Sequence, residues 1–272
     1  MKLTAIIAAT TVLAAGAALA QDCTPKYSFP TVEDGFITIA VTSYAPYSYI
    51  DTDGSAKGVD NAILAEIAKL SCKELKPVAS DAGSGIQSVI AGKADVTTGA
   101  WYRTAERDRV VNLSAPLYLD QMGIYSRDGY SKFTDIEGGT VGSVQGNLWV
   151  NDLRAILGEQ LKLYPDAIAL QQDLMAGRVD AAIDGSSIGV VAQSQGGLQG
   201  IQIKTIEPDD RIGASKEAGQ GTYPMSKKNP EMLAGMDAAI QELHDNGKIA
   251  EILQAYGLDP SAAETGAPRL IQ

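Results

Sequence analysis

Apolar runs and helix-like periodicities alternate along the chain. Residues 36–41 form a β-branched run that ends at a Tyr-Ala-Pro-Tyr turn, and they predict a buried strand. Residues 60–70 carry apolar side chains at helical spacing, and a shorter helical pattern that stops at Gly92 precedes a strand-like run at 95–98. Such alternation predicts parallel βα units, in which ligands bind at the carboxyl ends of the strands.

The chain contains an internal repeat. Residues 89–96 (VIAGKADV) are echoed by residues 174–181 (LMAGRVDA). In both copies an apolar helix ends at glycine, which tolerates the left-handed conformation, a basic residue follows, and an aspartate opens a short strand. Residues 37–47 have a similar partner in residues 140–147. Two copies of one βα plan predict two similar lobes that face each other.

The last part of the chain has a helical pattern. Asn229 followed by Pro230 predicts a helix start, because asparagine caps the first turn and proline is tolerated at its first position. Gly247 separates this helix from a second segment with an apolar stripe. Residues 259–272 contain Ala, Pro and Ser, and they predict a loosely packed arm.

The N-terminus predicts export. Lys2 is followed by an uncharged run at 3–20 that ends in Ala-Leu-Ala, the small-x-small pattern that signal peptidase cuts. We therefore expect cleavage near Ala20 and a mature chain in the periplasm. An uncleaved anchor is the alternative, but the run is short for one, since a membrane-spanning helix needs about 20 apolar residues.

The two cysteines are interpreted in the light of that export. In an oxidising compartment an even pair predicts one disulfide, here between Cys23 and Cys72, with two independent thiols as the alternative. A lipoprotein anchor at Cys23 would need a small residue directly before it, where Asp22 stands. Two cysteines and the lone His244 cannot complete a four-ligand zinc site, so we expect no metal and no cofactor. His244 stands among polar residues of a late helical segment, where we expect a solvated side chain.

Charge and length limit the class of protein. The 272 residues include 22 basic and 33 acidic side chains, which give a formal net charge of −11. This excess argues against nucleic acid and anionic membranes as partners. A mature chain of about 250 residues suits two lobes. The predicted divisions are a signal peptide at 1–20, the first part of lobe 1 at 21–125, lobe 2 at 126–220, and at 221–272 a return to lobe 1 with C-terminal helices and the tail.

A series of short motifs lies along the chain in a definite order and spacing. They are Tyr44-Ala45-Pro46-Tyr47-Ser48, Gly58-Val59-Asp60, Ala91-Gly92-Lys93-Ala94-Asp95, Thr104-Ala105-Glu106-Arg107, Gly146-Asn147 and Ala176-Gly177-Arg178-Val179-Asp180. From about residue 34 to 258 the chain resembles the amino-acid type of extracellular solute-binding proteins of ABC uptake systems, family 3. The resemblance implies an α/β fold of the periplasmic binding protein type II kind. Each lobe would be a mostly parallel sheet flanked by helices, and two crossovers, near 125–128 and 219–223, would form a hinge.

The resemblance also implies which residues bind the ligand. Arg107 stands where the family's T-x-x-R motif places the arginine that grips the ligand carboxylate, and a planar guanidinium can donate two parallel hydrogen bonds to a carboxylate. The alternative is a surface arginine paired with Glu106 or Asp108. Tyr44 stands where the family carries an aromatic side chain that covers the ligand, or it packs within its turn.

Further candidates complete the predicted ligand site. Asn147 matches a small polar residue at a helix start in the second lobe, where free N–H groups attract an anion, or it is an ordinary N-cap. The other candidates are Tyr47, Gly99, Trp101, Tyr102 and Asp184.

Two departures from the family pattern stand out. The segment at 99–103, Gly-Ala-Trp-Tyr-Arg, replaces the small residues that usually face the ligand. The aspartate that usually holds the α-ammonium would fall at Gly185, whereas Asp184 comes one residue early. Because strand side chains alternate between faces, this offset either turns Asp184 away or is corrected by a local turn.

The favoured function is capture of a small carboxylate-bearing solute and its delivery to an inner-membrane permease by a monomer that performs no chemistry. The aromatic residues indicate an organic body that stacks, such as a cationic or aromatic amino acid or an opine. One alternative is a periplasmic dehydratase of the same fold, for which Asp173 and Asp184 are the candidate acids. Another is a sensory or accessory subunit that presents its ligand to a receptor.

Overall fold

The computed structural model describes residues 23–271, and the predicted signal peptide lies outside them. The elements up to the first crossover are β1 (Phe36–Thr42), β2 (Tyr49–Ile50), β3 (Ala56–Lys57), α1 (Val59–Leu70), β4 (Glu74–Ser80), α2 (Ala82–Ile90), β5 (Val96–Thr98), α3 (Ala105–Val110), β6 (Asn112–Leu113) and β7 (Leu119–Asp120). Those that follow are β8 (Met122–Ser126), β9 (Val141–Val144), α4 (Val150–Leu157), β10 (Leu161–Tyr164), α5 (Ala167–Met175), β11 (Ala181–Gly185), α6 (Ser186–Ser194) and β12 (Gln202–Thr205). The chain ends with β13 (Gly219–Gln220), β14 (Pro224–Met225), α7 (Pro230–Asp245) and α8 (Lys248–Ala255), and 3-10 turns lie at Phe133–Asp135, Gly158–Gln160, Gly213–Ser215 and Pro260–Ala263.

Two five-stranded sheets share one plan. The first has the strand order β4-β1-β5-β14-β6, and the second has the order β10-β9-β11-β8-β12. In each sheet the second strand in this order, β1 or β9, pairs in parallel with both neighbours. In each, the fourth strand in this order, β14 or β8, adds in antiparallel orientation. The predicted two-lobed α/β fold, with helices flanking mostly parallel sheets, is confirmed.

The internal repeat has a physical counterpart in matched hydrogen bonds. The N–H of Asp95 donates to the carbonyl of Thr38, and its Oδ2 accepts from the N–H of Thr38, both at 2.8 Å. Asp180 makes the same pair of bonds with Thr140, at 2.8 and 2.7 Å. The repeated aspartate therefore ties the start of one strand to its parallel neighbour in each lobe.

Glycine ends the helix before each of these aspartates. Gly92 has φ +69° and Gly177 has φ +70°, values that a residue with a Cβ atom adopts only with strain. The two helices therefore stop at equivalent places, and the strands that follow begin in the same register relative to their neighbours.

The crossovers lie side by side. β7 pairs with β13 in antiparallel orientation, so the two segments that link the lobes form one short ribbon. The second predicted crossover, near 219–223, begins in this ribbon. The first lies earlier than the predicted 125–128, because Tyr125 and Ser126 belong to β8, which is buried along its whole length in the second sheet.

The ends of the described chain are tied to the body. Cys23 and Cys72 form the predicted disulfide, with a Cα–Cα distance of 5.7 Å, and it joins the N-terminal arm to the end of α1. Asn229 caps α7 as predicted, since its side chain accepts from the N–H of Met232 at 3.0 Å. No helix within residues 23–271 is long and apolar enough to cross a membrane.

Two sequence-based expectations near the C-terminus are wrong. His244 is not solvated: it is partly buried, and its Nε2 lies 2.9 Å from the Pro116 carbonyl oxygen. The segment after Asp259 is not a loose arm. It forms a 3-10 turn, and Ile271 then pairs with Thr104 in a parallel bridge.

The two repeated aspartates offer a matched test of the fold. Asp95 is 4% exposed and accepts from both Val32 and Thr38, whereas Asp180 is exposed and accepts from Thr140 alone. We expect Asp95→Ala to lower the free energy of unfolding by about 2–4 kcal/mol, because it leaves buried N–H groups unpaired. Asp180→Ala should cost clearly less in the same urea titration. Equal losses would contradict this interpretation.

Candidate functional site

A cavity of about 180 Å³ lies between the lobes, at the carboxyl ends of β1, β4, β5, β9 and β10. This is where parallel βα units are expected to bind ligands. Its walls combine residues of both lobes: Thr42, Ser43, Tyr44, Ser80, Asp81, Ala82, Gly99, Ala100, Trp101, Tyr102, Arg107, Val144, Gln145, Gly146, Asn147, Leu148, Trp149, Pro165 and Asp166.

Arg107 presents its guanidinium to this cavity. It lies on α3, whose N-cap Thr104 accepts from the N–H of Arg107 at 3.1 Å. Nη1 donates to the Tyr102 carbonyl at 2.9 Å, and Cζ lies 4.8 Å from the ring centroid of Trp101. Within residues 23–271 no carboxylate forms an ion pair with Arg107, Glu106 and Asp108 included. Burial lowers the pKa of Arg107 to about 10, so the group still carries its charge at neutral pH.

A buried aspartate holds the backbone on the first-lobe side of the cavity. The N–H groups of Gly99 and Ala100 both donate to Oδ2 of Asp60 at 2.9 Å, and the hydroxyl of Tyr118 donates to Oδ1 at 2.5 Å. Gly99 has φ +145°, and a Cβ atom there would lie 2.8 Å from Cβ of Thr42. Asp60 therefore fixes a turn that only glycine can make.

The two large side chains after this turn are largely buried and form the floor of the cavity. Trp101 is 7% exposed, and one of its faces carries the guanidinium of Arg107. The hydroxyl of Tyr102 donates to Asp120 at 2.7 Å, and its ring lies 6.4 Å from that of Trp149 in the second lobe. Both side chains line the cavity, and the reshaping or narrowing of the pocket by this segment stays a prediction.

Gly146 brings the second lobe into contact with the first. Its φ is +89°, and a methyl group in place of its hydrogen would lie 3.0 Å from Cβ of Ala82 across the cavity. The lobes therefore meet here without a side chain between them. Asn147 follows, but it does not cap a helix, because α4 begins at Val150 with Trp149 as its N-cap.

Asp184 lies behind the cavity wall. Its Oδ1 accepts from the Tyr44 hydroxyl at 2.5 Å, from Nδ2 of Asn147 at 3.0 Å and from the N–H of Gly185 at 3.0 Å. The one-residue offset thus does not turn this carboxylate away from the cleft, since it contacts a cavity residue from each lobe. Its Oδ2 has no hydrogen-bond partner in the described part of the chain, and burial raises the pKa of Asp184 to about 6.

The structure separates the predicted residues into two groups. Tyr44, Gly99, Trp101, Tyr102, Arg107 and Asn147 line the cavity together. Tyr47 and Asp184 do not: Tyr47 is fully buried and stacks on Tyr118 with ring centroids 4.9 Å apart. Gly185 stands where the family pattern would place the aspartate that holds the α-ammonium. The space beside this glycine is taken by Asp120, whose Oδ2 would lie 2.7 Å from a Cβ atom at Gly185.

Sequence reasoning missed two acidic residues of the cavity. Asp81 caps α2 and Asp166 caps α5, and each accepts a helix N–H at 2.8 Å through Oδ1. They occupy equivalent positions in the two lobes, each directly or nearly directly after an edge strand. An aspartate that starts a helix at the carboxyl end of a strand was the available signal.

The buried carboxylate of Asp184 generates a pH-dependent prediction. Because its pKa is raised in the folded state, its contribution to stability is largest below about pH 4 and is lost as the pH rises towards about 6. Asp184→Asn cannot titrate. Relative to this variant, the wild type should therefore lose on the order of 2–3 kcal/mol of unfolding free energy between pH 4 and 7. If the difference in unfolding free energy between the wild type and this variant is the same at both pH values, the prediction is wrong.

Three comparisons place the chain among known proteins. It is 27% identical over 223 residues to the lysine/arginine/ornithine-binding periplasmic protein of Escherichia coli (strain K12), covering 79% of this chain and 84% of that one. An ABC uptake transporter substrate-binding protein from Streptococcus pneumoniae with bound histidine has a TM-score of 0.72 at 19% identity, covering 83% of this chain and 94% of that one. An ancestral amino acid-binding protein described as a precursor of cyclohexadienyl dehydratase has a TM-score of 0.70 at 17% identity, covering 82% and 95%.

The two structural similarities establish the fold. The family follows from a model of bacterial extracellular solute-binding proteins, family 3, which matches residues 37–259. Because this match spans most of the chain, the protein belongs to the bacterial extracellular solute-binding proteins of family 3, as its motifs predicted.

Proposed function

We propose that the protein captures a small carboxylate-bearing solute, an amino acid or a derivative such as an opine, and delivers it to an inner-membrane ABC permease. The observation that carries this proposal is the guanidinium of Arg107, which faces the interlobe cavity without a carboxylate partner in residues 23–271. A ligand carboxylate would supply that partner through charge-assisted hydrogen bonds. Family membership supports the same role.

The acidic residues of the cavity extend the proposal to a ligand with a distal positive charge. Asp81 and Asp166 use Oδ1 to cap their helices, while Oδ2 of each accepts no hydrogen bond from the described residues. Each lobe therefore offers one carboxylate on the same cavity that holds Arg107. A cationic amino acid fits this arrangement. The Escherichia coli relative is named for binding lysine, arginine and ornithine, which are cationic amino acids.

The α-ammonium of such a ligand has a candidate acceptor in Asp184. Its carboxylate lies directly behind Tyr44 and Asn147, which line the cavity. A small displacement of the Tyr44 hydroxyl would open a path from the cavity to Oδ2, the oxygen that lacks a partner among residues 23–271. Ammonium binding there would stabilise the charged form of the buried carboxylate.

We also propose that the protein performs no chemistry. Asp173, one of the two candidate acids, pairs with Arg178 and accepts from the Tyr164 hydroxyl at 2.7 Å, away from the cavity. Asp184 alone does not make a catalytic pair. The likeness to the ancestral dehydratase precursor shows the fold alone, and that protein is itself described as amino acid-binding.

The proposed setting is the periplasm, where the chain would act as a monomer after removal of residues 1–20. The disulfide between Cys23 and Cys72 supports an oxidising compartment. Presentation of the ligand to a receptor instead of a permease would use the same closed form.

Arg107 provides the first test. We expect Arg107→Ala to weaken binding of the best ligand by tens- to thousandsfold, because a buried carboxylate left unpaired costs about 2–5 kcal/mol. Arg107→Lys should recover part of the loss, since lysine keeps the charge but not the planar fork. The ligand would come from a thermal-shift panel of amino acids and opines, and affinities from calorimetry.

The matched control is Arg109→Ala, which removes an exposed arginine from the same short helix. It should leave the affinity unchanged. Unaltered binding by Arg107→Ala, or a flat response of the wild type to the whole panel, would count against the proposed function.

The two capping aspartates provide the second test. Asp81→Asn and Asp166→Asn keep the helix cap, because asparagine caps as well as aspartate, and they remove only the charge. The wild type should bind L-arginine more tightly than L-citrulline, its neutral isostere. Each variant should reduce that preference by roughly three- to tenfold in calorimetry while leaving citrulline affinity unchanged. Equal affinity of the wild type for both compounds would refute the distal cation site.

A further inference from the structure

The segment after the last 3-10 turn is bound to the ribbon that links the lobes. Gln220 of β13 is 1% exposed, and its Nε2 donates to the carbonyls of Thr265 at 2.9 Å and Ala267 at 2.8 Å. Its Oε1 accepts from the N–H of Arg269 at 2.8 Å. One buried amide therefore uses its donors and its acceptor to hold this segment against the ribbon of β7 and β13, which forms the hinge between the lobes.

Arg269 adds a charged contact beside this amide. Its Nη2 donates to the carbonyl of Ala218 at 2.5 Å, and its Nε lies 2.9 Å from a carboxylate oxygen of Glu217. Residues 217 and 218 are the last ones before β13, where the chain leaves the second lobe. The segment thus contacts the hinge on the side of the second lobe.

The same segment reaches the part of the first lobe that carries Arg107. The N–H of Ile271 donates to the carbonyl of Arg103 at 3.1 Å, and its carbonyl accepts from the N–H of Ala105 at 2.9 Å. Arg103 in turn donates its N–H to the carbonyl of Gln220 at 2.9 Å. The start of α3, the hinge strand and the segment are therefore joined in one hydrogen-bonded unit.

Neighbouring side chains of the segment pack against different clusters. Leu270 packs against a first-lobe cluster that includes Val89, Val111 and Leu113. Ile271 packs against the cluster formed by Tyr102 and the apolar residues of the second sheet. Alternation along an extended chain explains how consecutive residues point to opposite sides.

We propose that residues 265–271, here called the strap, act as a built-in brace that favours the closed arrangement of the two lobes. The strap lies beyond residues 37–259, the part of the chain that the family model matches. Opening the lobes would move the first-lobe anchor of the strap, at Ile271, away from residues 217 and 218, which Arg269 contacts, and away from the second-sheet cluster, against which Ile271 packs. The strap therefore raises the fraction of ligand-free protein that is closed, and it tightens binding because the apparent dissociation constant varies inversely with the competent fraction.

The test compares the full chain with three variants. One ends at Glu264 and so lacks the strap, Arg269→Gln removes the charged contacts, and Glu264→Gln is the control, an exposed charge removed just outside the strap. Small-angle X-ray scattering of ligand-free protein reports the opening, and calorimetry with L-arginine or the best panel ligand reports the affinity. We expect a larger radius of gyration and about tenfold weaker binding without the strap, a smaller change in the same direction for Arg269→Gln, and no change for Glu264→Gln.

An unchanged radius of gyration and affinity without the strap would overturn the proposal, even if the melting temperature fell. If the shortened chain does not fold, the same two measurements on Arg269→Gln decide. The affinity part rests on the proposed function. A wild type that binds no compound of the panel would defeat that function, while the ligand-free scattering would still decide whether the strap controls opening.

Discussion

A guanidinium enclosed between two lobes without an acidic partner is the constraint from which the rest of the site follows. Removing a charge from water is costly, and the fold compensates Arg107 only partly, with the face of Trp101 and one backbone carbonyl. The remaining donors are satisfied best by an anion that enters the cavity. In the proposed function, closure and ligand capture are thus coupled, since an anionic ligand would complete the electrostatics of the closed form.

The duplicated βα plan explains why the cavity has matching walls. Asp81 and Asp166 are equivalent caps of equivalent helices, and closure of the lobes brings both to one space. The duplication is not exact at the arginine that is proposed to bind the ligand carboxylate. Arg107 stands on α3, after the first lobe's repeat, whereas the corresponding part of the second lobe leads from β11 into α6.

Sequence patterns predicted the features that local chemistry determines. The strands, the glycine stops, the cap at Asn229 and the position of Arg107 depend on neighbouring residues, and periodicity or motif spacing reveals them. Contacts between distant segments could not be predicted from such local patterns. Tyr47 turned inward to stack on Tyr118, and the role of Asp60 depends on a turn about 40 residues away. The composition of the C-terminal segment likewise gave no sign that one glutamine, Gln220, would bind it.

The near-contact between Gly146 and Ala82 limits how the pocket can diversify. Any bulkier residue at either position would act as a wedge and keep the two halves apart, so adaptation to larger solutes is closed off at this rim. Space for larger substrates has to come from Trp101 and Tyr102 at the floor of the cavity. A smaller side chain at either position would enlarge the cavity without preventing the lobes from closing.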